Sequence, residues 1–387
     1  MDTLGIYVQV PFCQTKCTYC NFHTGVVPQQ RFAPYIAAVQ QQIASTREHF
    51  LGVSIVCPES FPPIDTVYIG GGTPSLLDPQ LLADLLTSLR HHFPGAAEEI
   101  TLEADPETVE HEKARQWVAA GINRISFGSQ SFVDDELKAA GRMHRCADID
   151  RAVSILRSVG LNNLSFDLIA GLPKQTAESW QYSLAQTITL SPEHVSIYMM
   201  EIDEGSRLGL EVLRGGARYS ARELPSDEAM AGFYALAQIQ LKSAGYDQYE
   251  ISNWAKPGFA SRHNLKYWRR EPYLGYGAGS HSFFGTQRWA SLHDPAAFVA
   301  AITAGQPAIE SVQSVTPEEA LEEEIFLGLR QMSGIDLGRI ERQYQVDFTD
   351  KVRRLASTGM VQRHGQLLRL APDKLNVSNE ILVELLR

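Results

Sequence analysis

Short apolar, β-rich runs alternate with amphipathic helical stretches through the first half of this 387-residue chain. Between the runs, leucines such as Leu81, Leu85 and Leu89 recur every four residues, as they do along one face of a helix. Alternating strands and helices form a parallel sheet covered by helices. The pattern predicts an α/β fold, either a partial (β/α)6 barrel open on one side or a doubly wound open sheet. The six predicted strands are Leu4–Val10, Asp65–Ile69, Glu99–Glu103, Arg124–Phe127, Asn163–Ile169 and His194–Met200.

Polar motifs follow or end these predicted strands. The turn GGGTPS follows the second strand, Glu103 ends the third, Gln130 follows the fourth and Asp167 lies in the fifth. Barrel proteins build their sites at the carboxyl ends of their strands. We therefore expect these polar groups to meet at one face of the sheet.

Three cysteines, Cys13, Cys17 and Cys20, follow the first strand with the spacing C-x3-C-x2-C. Three thiolates can hold three irons of a four-iron cluster and leave the fourth iron open. Structural zinc with His23 as fourth ligand is the alternative, but zinc sites usually carry a second cysteine pair, and Cys57 and Cys146 are isolated. Five cysteines are a low, odd count, which favours free thiols in a reducing compartment over disulfides.

Charge and hydropathy narrow the class of protein. The net charge of -11 disfavours a nucleic-acid partner, which needs basic patches. No apolar run approaches the about 18 residues of a membrane span, and the N-terminus does not read as a signal peptide. We therefore expect a cytoplasmic protein that does not span a membrane.

The second half of the chain is less periodic. Residues 207–224 are predicted to be an exposed loop, and a helix is predicted over Asp227–Ala244 with Ser226 as its N-cap. A boundary is expected within 303–317, followed by a helix that starts at Thr316-Pro317 and a hairpin over Met360–Leu370. These elements predict a small helical, winged-helix-like domain, for which the acidic balance disfavours DNA binding.

The block from Tyr249 to His281 is rich in aromatic side chains, histidines and glycines. Such residues suit a flat, apolar ligand that carries a metal, and histidine is a common haem ligand. The alternative is an aromatic core around the barrel mouth. His263 and His281 are the candidate haem ligands.

Ten motifs together carry a family resemblance. They occur in the order CQTKCTYCNF, YIGGGTPS, EADPET, RISFGSQSF, GRMH, FDLIAGLPKQT, HVSIY, YEISNWAKPG, HNLKYW and GYGAGSHS. The chain resembles the coproporphyrinogen III dehydrogenase-like family of radical S-adenosylmethionine (radical SAM) proteins, and within it the branch of haem chaperones. The resemblance implies a radical SAM barrel over 1–225, a barrel-closing region over 226–305 and a C-terminal domain similar to that of the dehydrogenases over 306–387.

The resemblance also implies ligands and partners. It implies a [4Fe–4S] cluster on Cys13, Cys17 and Cys20, haem as cargo, and haem-accepting proteins, including membrane respiratory enzymes, as partners. A homodimer is compatible with it, and no catalytic residue is assigned. The residues that match S-adenosylmethionine contacts in related dehydrogenases are Tyr7, Gly71, Gly72, Thr73, Glu103, Gln130, Arg142 and Asp167.

Two other functions compete with haem transfer. The dehydrogenases decarboxylate coproporphyrinogen III, but they carry a further cysteine where this chain has Phe22, and an extension before the cysteine motif. HNLKYW is typical of the chaperone branch, which we therefore favour. A cluster that only stabilises the chain or senses redox state would not need the polar groups gathered at one face.

Overall fold

The computed structural model describes residues 3–386, and its main feature is one mixed sheet of 12 strands. The strands are β1 (Leu4–Val10), β2 (Ile64–Gly71), β3 (Glu99–Ala104), β4 (Arg124–Gln130), β5 (Asn163–Ala170), β6 (His194–Met199), β7 (Asp247–Glu250), β8 (Asn253–Ala255), β9 (Tyr273–Tyr276), β10 (His281–Phe284), β11 (Gln287–Ser291) and β12 (Ile309–Ser314). Their order in the sheet is β12-β11-β10-β9-β1-β2-β3-β4-β5-β6-β8-β7.

The six predicted strands all exist, and β1 to β6 pair in parallel in chain order. Strand β9 adds a further parallel strand on the free side of β1, with Gly5 opposite Tyr273. Within the described residues the outer strands β12 and β7 do not pair with each other, so the sheet stays open. The α/β fold with a partial, open barrel is therefore confirmed.

The described residues, 3–386, also form fifteen α-helices. They are α1 (Phe32–Ala44), α2 (Thr46–Gly52), α3 (Pro79–His92), α4 (His111–Ala120), α5 (Asp134–Ala139), α6 (Cys146–Ser158), α7 (Ala177–Leu190), α8 (Arg207–Leu213), α9 (Asp227–Ser243), α10 (Arg262–Trp268), α11 (Pro295–Thr303), α12 (Pro317–Leu329), α13 (Leu337–Tyr344), α14 (Thr349–Ser357) and α15 (Ser378–Leu386). None of the helices described here combines the length and apolar character needed to cross a membrane.

Strand β1 shows how the sheet separates core from site. Leu4, Ile6 and Val8 share one face of the strand and are fully buried. Tyr7 and Gln9 share the other face, where the Tyr7 hydroxyl donates to Gln9 Oε1 at 2.5 Å. The apolar face packs in the hydrophobic core, so the polar face is left to line the concave side of the sheet.

The predicted exposed loop over 207–224 is wrong in part, because this segment contains α8 and a helical turn over Arg218–Glu223. Ser206 caps α8 by accepting from the backbone N–H of Gly209 at 2.9 Å. Leu208 is only 1% exposed and packs in a small apolar cluster beside the main core. A single buried leucine and a capping serine give too weak a pattern for periodicity to detect.

The C-terminal elements match their prediction. Helix α12 starts with a capping box between Thr316 and Glu319, and α9 is capped by Ser226 as expected. The hairpin consists of β14 (Val361–His364) and β15 (Leu367–Leu370), and β13 (Ile335–Asp336) pairs with it as a third strand. Strand β12, which the predicted boundary at 306 assigns to this domain, pairs with β11 in the main sheet. The three-part division of the chain stays a prediction.

Helix α10 closes the amino end of the parallel strands. Glu99, at the start of β3, accepts the backbone N–H groups of Arg262 and His263, each at 3.0 Å. Lys266 is 2% exposed and its Nζ lies 3.0 Å from Asp65 Oδ1, at the start of β2. The concave face is therefore sealed at this end, and the ends of the strands that remain accessible are the carboxyl ends.

Candidate functional site

The cysteine segment leaves β1 at the carboxyl end of the sheet and is tied down by backbone hydrogen bonds. The N–H of Cys13 donates to Gly25 O at 3.0 Å. Thr18 N–H donates to Ala140 O at 2.9 Å, and Thr18 O accepts from Leu208 N–H at 2.8 Å. Three separate parts of the chain thus hold the loop in place, although few of its own side chains are apolar.

All three motif cysteines are free thiols and half-buried. Burial raises the pKa of the Cys13 thiol. Arg142 Nη1 donates to Cys17 Sγ at 3.4 Å, which places a positive charge beside this sulfur. The donor set is therefore three sulfurs with an adjacent positive charge, which is the chemistry that an iron–sulfur cluster requires.

The described residues do not include three or more His, Cys, Asp or Glu side chains gathered around one point as ligands of a single metal ion. In a four-iron cluster each thiolate binds a different iron, so the sulfurs need not converge on one point. A mononuclear zinc site would need that convergence. His23, the alternative fourth zinc ligand, instead packs against His293, with ring centroids 4.5 Å apart and an interplanar angle of 44°. The donor geometry therefore fits the cluster better than zinc.

The glycine turn after β2 packs directly on the cysteine segment. The N–H of Gly72 donates to Val10 O at 2.9 Å, and the N–H of Thr73 donates to Phe12 O at 2.7 Å. A Cβ on Gly72 would overlap the carbonyl oxygen of Phe12. Gly71 has φ +109°, in the left-handed region that favours glycine, and a Cβ there would overlap the Gln9 side chain. Both glycines are therefore required for this close approach.

Glu103, at the end of β3, is held beside that turn. Its Oε2 accepts the N–H of Gly71 at 2.8 Å, and its Oε1 accepts the hydroxyl of Tyr68 at 2.9 Å. Burial raises the pKa of Glu103 to about 7, against the lowering effect of these two hydrogen bonds. A carboxylate that remains this hard to ionise is typical of a site prepared for a cation or another hydrogen-bond donor.

Asp105 links the glycine turn to the cysteine segment. Its Oδ2 accepts from Thr73 Oγ1 at 3.0 Å, and its Oδ1 forms an ion pair with Arg142. Arg142 also donates to Gly128 O at 2.7 Å. Asp105 lies in the motif EADPET, but its role was not predicted, because the sequence does not show which group pairs with a carboxylate that follows a strand.

Asp167 and Gln130 lie on the neighbouring strands β5 and β4. Asp167 accepts from Ser126 Oγ at 3.3 Å, and burial raises its pKa to about 6. The ion pair of Arg142 is made with Asp105. Gln130 has φ +63°, which is unusual for a residue with a side chain and marks a local departure from regular strand geometry.

The two candidate haem histidines lie in different environments. His263 is fully buried, with Nδ1 2.9 Å from Thr66 Oγ1 and Nε2 2.7 Å from the Tyr267 hydroxyl. Burial lowers its pKa to about 3, so the ring is neutral and both nitrogens already have partners. His281 starts β10 at the open end of the sheet and is exposed. Of the two, only His281 presents its ring to a ligand.

The structure therefore brings the three motif cysteines and the polar strand-end residues to one end of the sheet and places His263 towards the other. Tyr7 lies between them, its ring 6.0 Å from that of Tyr68 and 6.5 Å from that of His263. Burial raises the pKa of Tyr7, so it remains a neutral hydrogen-bond donor. The arrangement can hold an iron–sulfur cluster next to a zwitterionic ligand.

Two family models match the chain, that of the Radical SAM superfamily over residues 7–185 and that of the HemN C-terminal domain over residues 315–373. A protein of Bacillus subtilis (strain 168) named Heme chaperone HemW is 32% identical over 381 residues, which cover 97% of this chain and 97% of the relative. The chain belongs to the HemW family of radical SAM proteins.

One further HemW protein agrees with this assignment, and one solved structure shares the fold. The Heme chaperone HemW of Escherichia coli (strain K12) is 36% identical over 73% of this chain and 70% of the relative. The structure described as "Coproporphyrinogen III oxidase (HemN) from Escherichia coli is a Radical SAM enzyme" aligns with a TM-score of 0.82 and 22% identity, covering 99% of this chain and 90% of that one. At this identity the alignment shows a shared fold.

Proposed function

We propose that this chain is a haem chaperone, which binds haem and transfers it to acceptor proteins, and that it carries a [4Fe–4S] cluster with S-adenosylmethionine. The observation that carries the proposal is similarity to a protein named Heme chaperone HemW over 97% of both chains. The three free thiols and the glycine turn packed on them support the cofactor part.

Cys13, Cys17 and Cys20 would hold the cluster, leaving one iron without a protein ligand. The backbone hydrogen bonds of Cys13 and Thr18 hold the loop that carries these thiols. Arg142 would balance part of the negative charge of the thiolates from its position beside Cys17. The cluster, when bound, supplies electrons and a coordination site for S-adenosylmethionine.

The polar residues at the strand ends would hold S-adenosylmethionine. Gly71, Gly72 and Thr73 allow the ligand to approach the backbone closely, and Glu103 offers a carboxylate beside them. Asp167, with its raised pKa, would accept hydrogen bonds from ribose hydroxyls. Tyr7, Gln130 and Arg142 complete the proposed contact set.

Haem would be bound at the open, carboxyl end of the parallel strands and not at the end that α10 closes. His281 is exposed at the start of β10, whereas both ring nitrogens of His263 have partners within the protein. An exposed ligand suits a carrier, because the acceptor must reach the haem to remove it. We therefore propose His281 as a haem ligand and a structural role for His263.

The acceptors would be haem-dependent proteins, including respiratory enzymes at the membrane. Five free cysteines favour a reducing compartment, so we expect the chain to act in the cytoplasm. A homodimer is compatible with this role, and size-exclusion chromatography with light scattering of the cluster-loaded protein would test it.

Coproporphyrinogen III decarboxylation is the rival function, and the shared fold with the Escherichia coli oxidase is the observation that favours it. One experiment separates the two. Anaerobically reconstituted protein is titrated with haem by absorbance, and the same preparation is assayed for coproporphyrinogen III conversion with S-adenosylmethionine and a reductant. Haem binding without product supports the chaperone, and product formation overturns it.

A further inference from the structure

Strand β4 carries a bulge just before its last residue. The register between β4 and β5 shifts between Phe127 and Gln130, so that Gly128 and Ser129 together oppose the single residue Asp167. A bulge interrupts the strand ladder and re-aims the neighbouring side chain. Gln130, a proposed contact of S-adenosylmethionine, follows the bulge with φ +63°. The direction of this side chain therefore depends on contacts that hold the bulge from outside the ladder.

Arg142 and His144 hold the bulge from one extended segment. Both side chains are buried, whereas the side chain of Met143 between them is exposed. Arg142 Nη2 donates to Gly128 O at 2.7 Å, and His144 Nε2 lies 3.1 Å from Ser129 O. Alternate side chains of an extended segment point to the same side, so the two residues act together on the bulge.

The same two side chains also face carboxyl groups in the segment that follows β3. Arg142 forms its ion pair with Asp105. His144 Nδ1 lies 3.7 Å from Glu107 Oε2, which is too long for a hydrogen bond. Both atoms are buried and have no hydrogen-bond partner among residues 3–386. An unpaired buried polar atom is costly, and a movement of about 1 Å would join these two.

The surrounding charges favour a neutral hydrogen bond between His144 and Glu107. The carbonyl of Ser129 can only accept, so His144 carries its proton on Nε2 and presents a lone pair at Nδ1. Burial, and next the positive charge of Arg142, lower the pKa of His144 to about 4, so the ring is neutral. Burial, and next the negative charge of Asp105, raise the pKa of Glu107, so this carboxyl group readily keeps a proton to donate.

We propose that Glu107 and His144 form a positioning pair for the S-adenosylmethionine site, in which the carboxyl O–H of Glu107 donates to His144 Nδ1. The pair holds the bulge of β4, and with it Arg142 and Gln130, in the geometry that receives the ligand. Hydrogen bonds of a site are often long before the ligand binds and tighten with it, so the gap of 3.7 Å should close on binding. The inference rests on the proposed binding of S-adenosylmethionine and adds two residues to which the family resemblance assigns no contact.

The test is S-adenosylmethionine binding to the cluster-loaded protein at pH 7. Calorimetric titration gives the affinity, and electron paramagnetic resonance of the reduced cluster shows whether the ligand perturbs it. His144→Phe keeps a ring but removes both nitrogens. We expect its affinity to fall about tenfold or more, as for loss of one partner of a buried hydrogen bond, with wild-type iron and sulfide content. His49→Phe, at a buried histidine of α2, is the matched control and should bind the ligand as wild type does.

Two variants of Glu107 test the direction of the hydrogen bond, and they decide the question if His144→Phe does not fold. Glu107→Gln keeps a donor in its amide group and should bind S-adenosylmethionine as wild type does. Glu107→Ala removes the donor and should show the same loss as His144→Phe. Glu112→Ala, at an exposed carboxylate of α4, is the control for this substitution.

The outcomes separate the inference from the proposed function. Wild-type affinity in both His144→Phe and Glu107→Ala overturns the inference, and so does an equal loss in Glu107→Gln and Glu107→Ala, because the bond would then not depend on a donor. Loss of cluster content in step with ligand binding gives the pair a general structural role and also overturns the inference. Cluster-loaded wild type that does not bind S-adenosylmethionine overturns the proposed cofactor binding itself, and the inference with it.

Discussion

The two ends of the same parallel strands hold their buried polar groups differently. At the amino end, Glu99 accepts two backbone N–H groups of α10, and Lys266 lies between Asp65 at 3.0 Å and Glu271 at 3.3 Å. At the carboxyl end, Glu103 and Asp167 keep raised pKa values of about 7 and 6. Glu99 and Lys266 are compensated by partners at the amino end, whereas the carboxyl end does not fully compensate for burying Glu103 and Asp167.

Whether a buried polar group has partners within the protein distinguishes structural residues from ligand-binding residues more reliably than residue type does. Both ends contain carboxylates, aromatic rings and a histidine that sequence motifs single out. A buried polar group whose protein partners compensate for its lost hydration stabilises the fold. A buried polar group whose lost hydration is not fully compensated indicates a ligand site. His263 illustrates the first case, since both of its ring nitrogens have protein partners.

The largest expected effect is at the carboxyl end, in Cys17→Ser. Loss of one of three thiolates should abolish the cluster, because the two remaining sulfurs cannot hold it. The measurement is iron and sulfide content together with the visible absorbance of the reconstituted protein. Cys57→Ser, in a segment away from the motif, is the control and should retain full cluster content. A variant at Cys17 that keeps the cluster spectrum would contradict the proposed ligand set.

The next effect concerns Gly72→Ala. The added Cβ would overlap the backbone carbonyl of Phe12, so the glycine turn and the cysteine segment must separate. We expect at least half of the cluster content to be lost on reconstitution, with a lower melting temperature. Gly25→Ala is the matched control, because a Cβ there meets no atom within 4 Å. Equal cluster content in the two variants would show that the close approach is unimportant.

The third effect is a pH dependence of S-adenosylmethionine binding. Because the pKa of Glu103 is raised to about 7, its charge is present above that pH and is lost as the pH falls through it. Between pH 8 and pH 6 the ionised fraction falls about tenfold, so affinity should weaken by up to about tenfold. Calorimetric titration of the cluster-loaded protein measures this change. Glu103→Gln should bind weakly at both pH values, and an unchanged pH profile in that variant would assign the dependence to another group.

The smallest effect tests the amino end through Lys266→Met. Removing the ammonium leaves Asp65 and Glu271 without their buried partner, although both carboxylates are partly exposed and recover some hydration. We expect a loss of about 2 kcal/mol in the free energy of unfolding by urea, less than the about 3–5 kcal/mol for breaking a fully buried pair, because both carboxylates are partly exposed. Cluster content per folded molecule should not change. The exposed Lys242→Met is the control, and a Lys266 variant that loses its cluster but not its stability would reverse the comparison.

The sequence was sufficient to predict the parallel strands β1 to β6 and the end of the sheet that carries the site. Strand β1 matches its prediction, Leu4–Val10, because an apolar run bounded by turn residues is a strong local signal. Polar residues after successive parallel strands must meet at one edge, so Glu103 and Asp167 could be placed without coordinates. The family motifs then supplied the reason for the three cysteines.

Contacts between distant segments could not be predicted in the same way. Strand β9 has only four residues, Tyr273–Tyr276, and its pairing with β1 is set by packing rather than by local pattern. The ion pair of Arg142 with Asp105, and the approach of His293 to His281, depend on how loops fold over the strand ends. No periodicity records such partners, because they are determined by tertiary structure alone.

The position of β1 in the sheet has a consequence for synthesis of the chain. This strand is made first, yet one of its edges is covered only when Tyr273–Tyr276 arrive to pair with Gly5–Val8. At about 5–20 residues per second, the ribosome needs some tens of seconds to add the intervening segment. During that interval the nascent chain exposes an unpaired edge of β1 next to its cysteine motif. An unpaired strand edge can pair with other chains, so this arrangement requires protection from aggregation during synthesis.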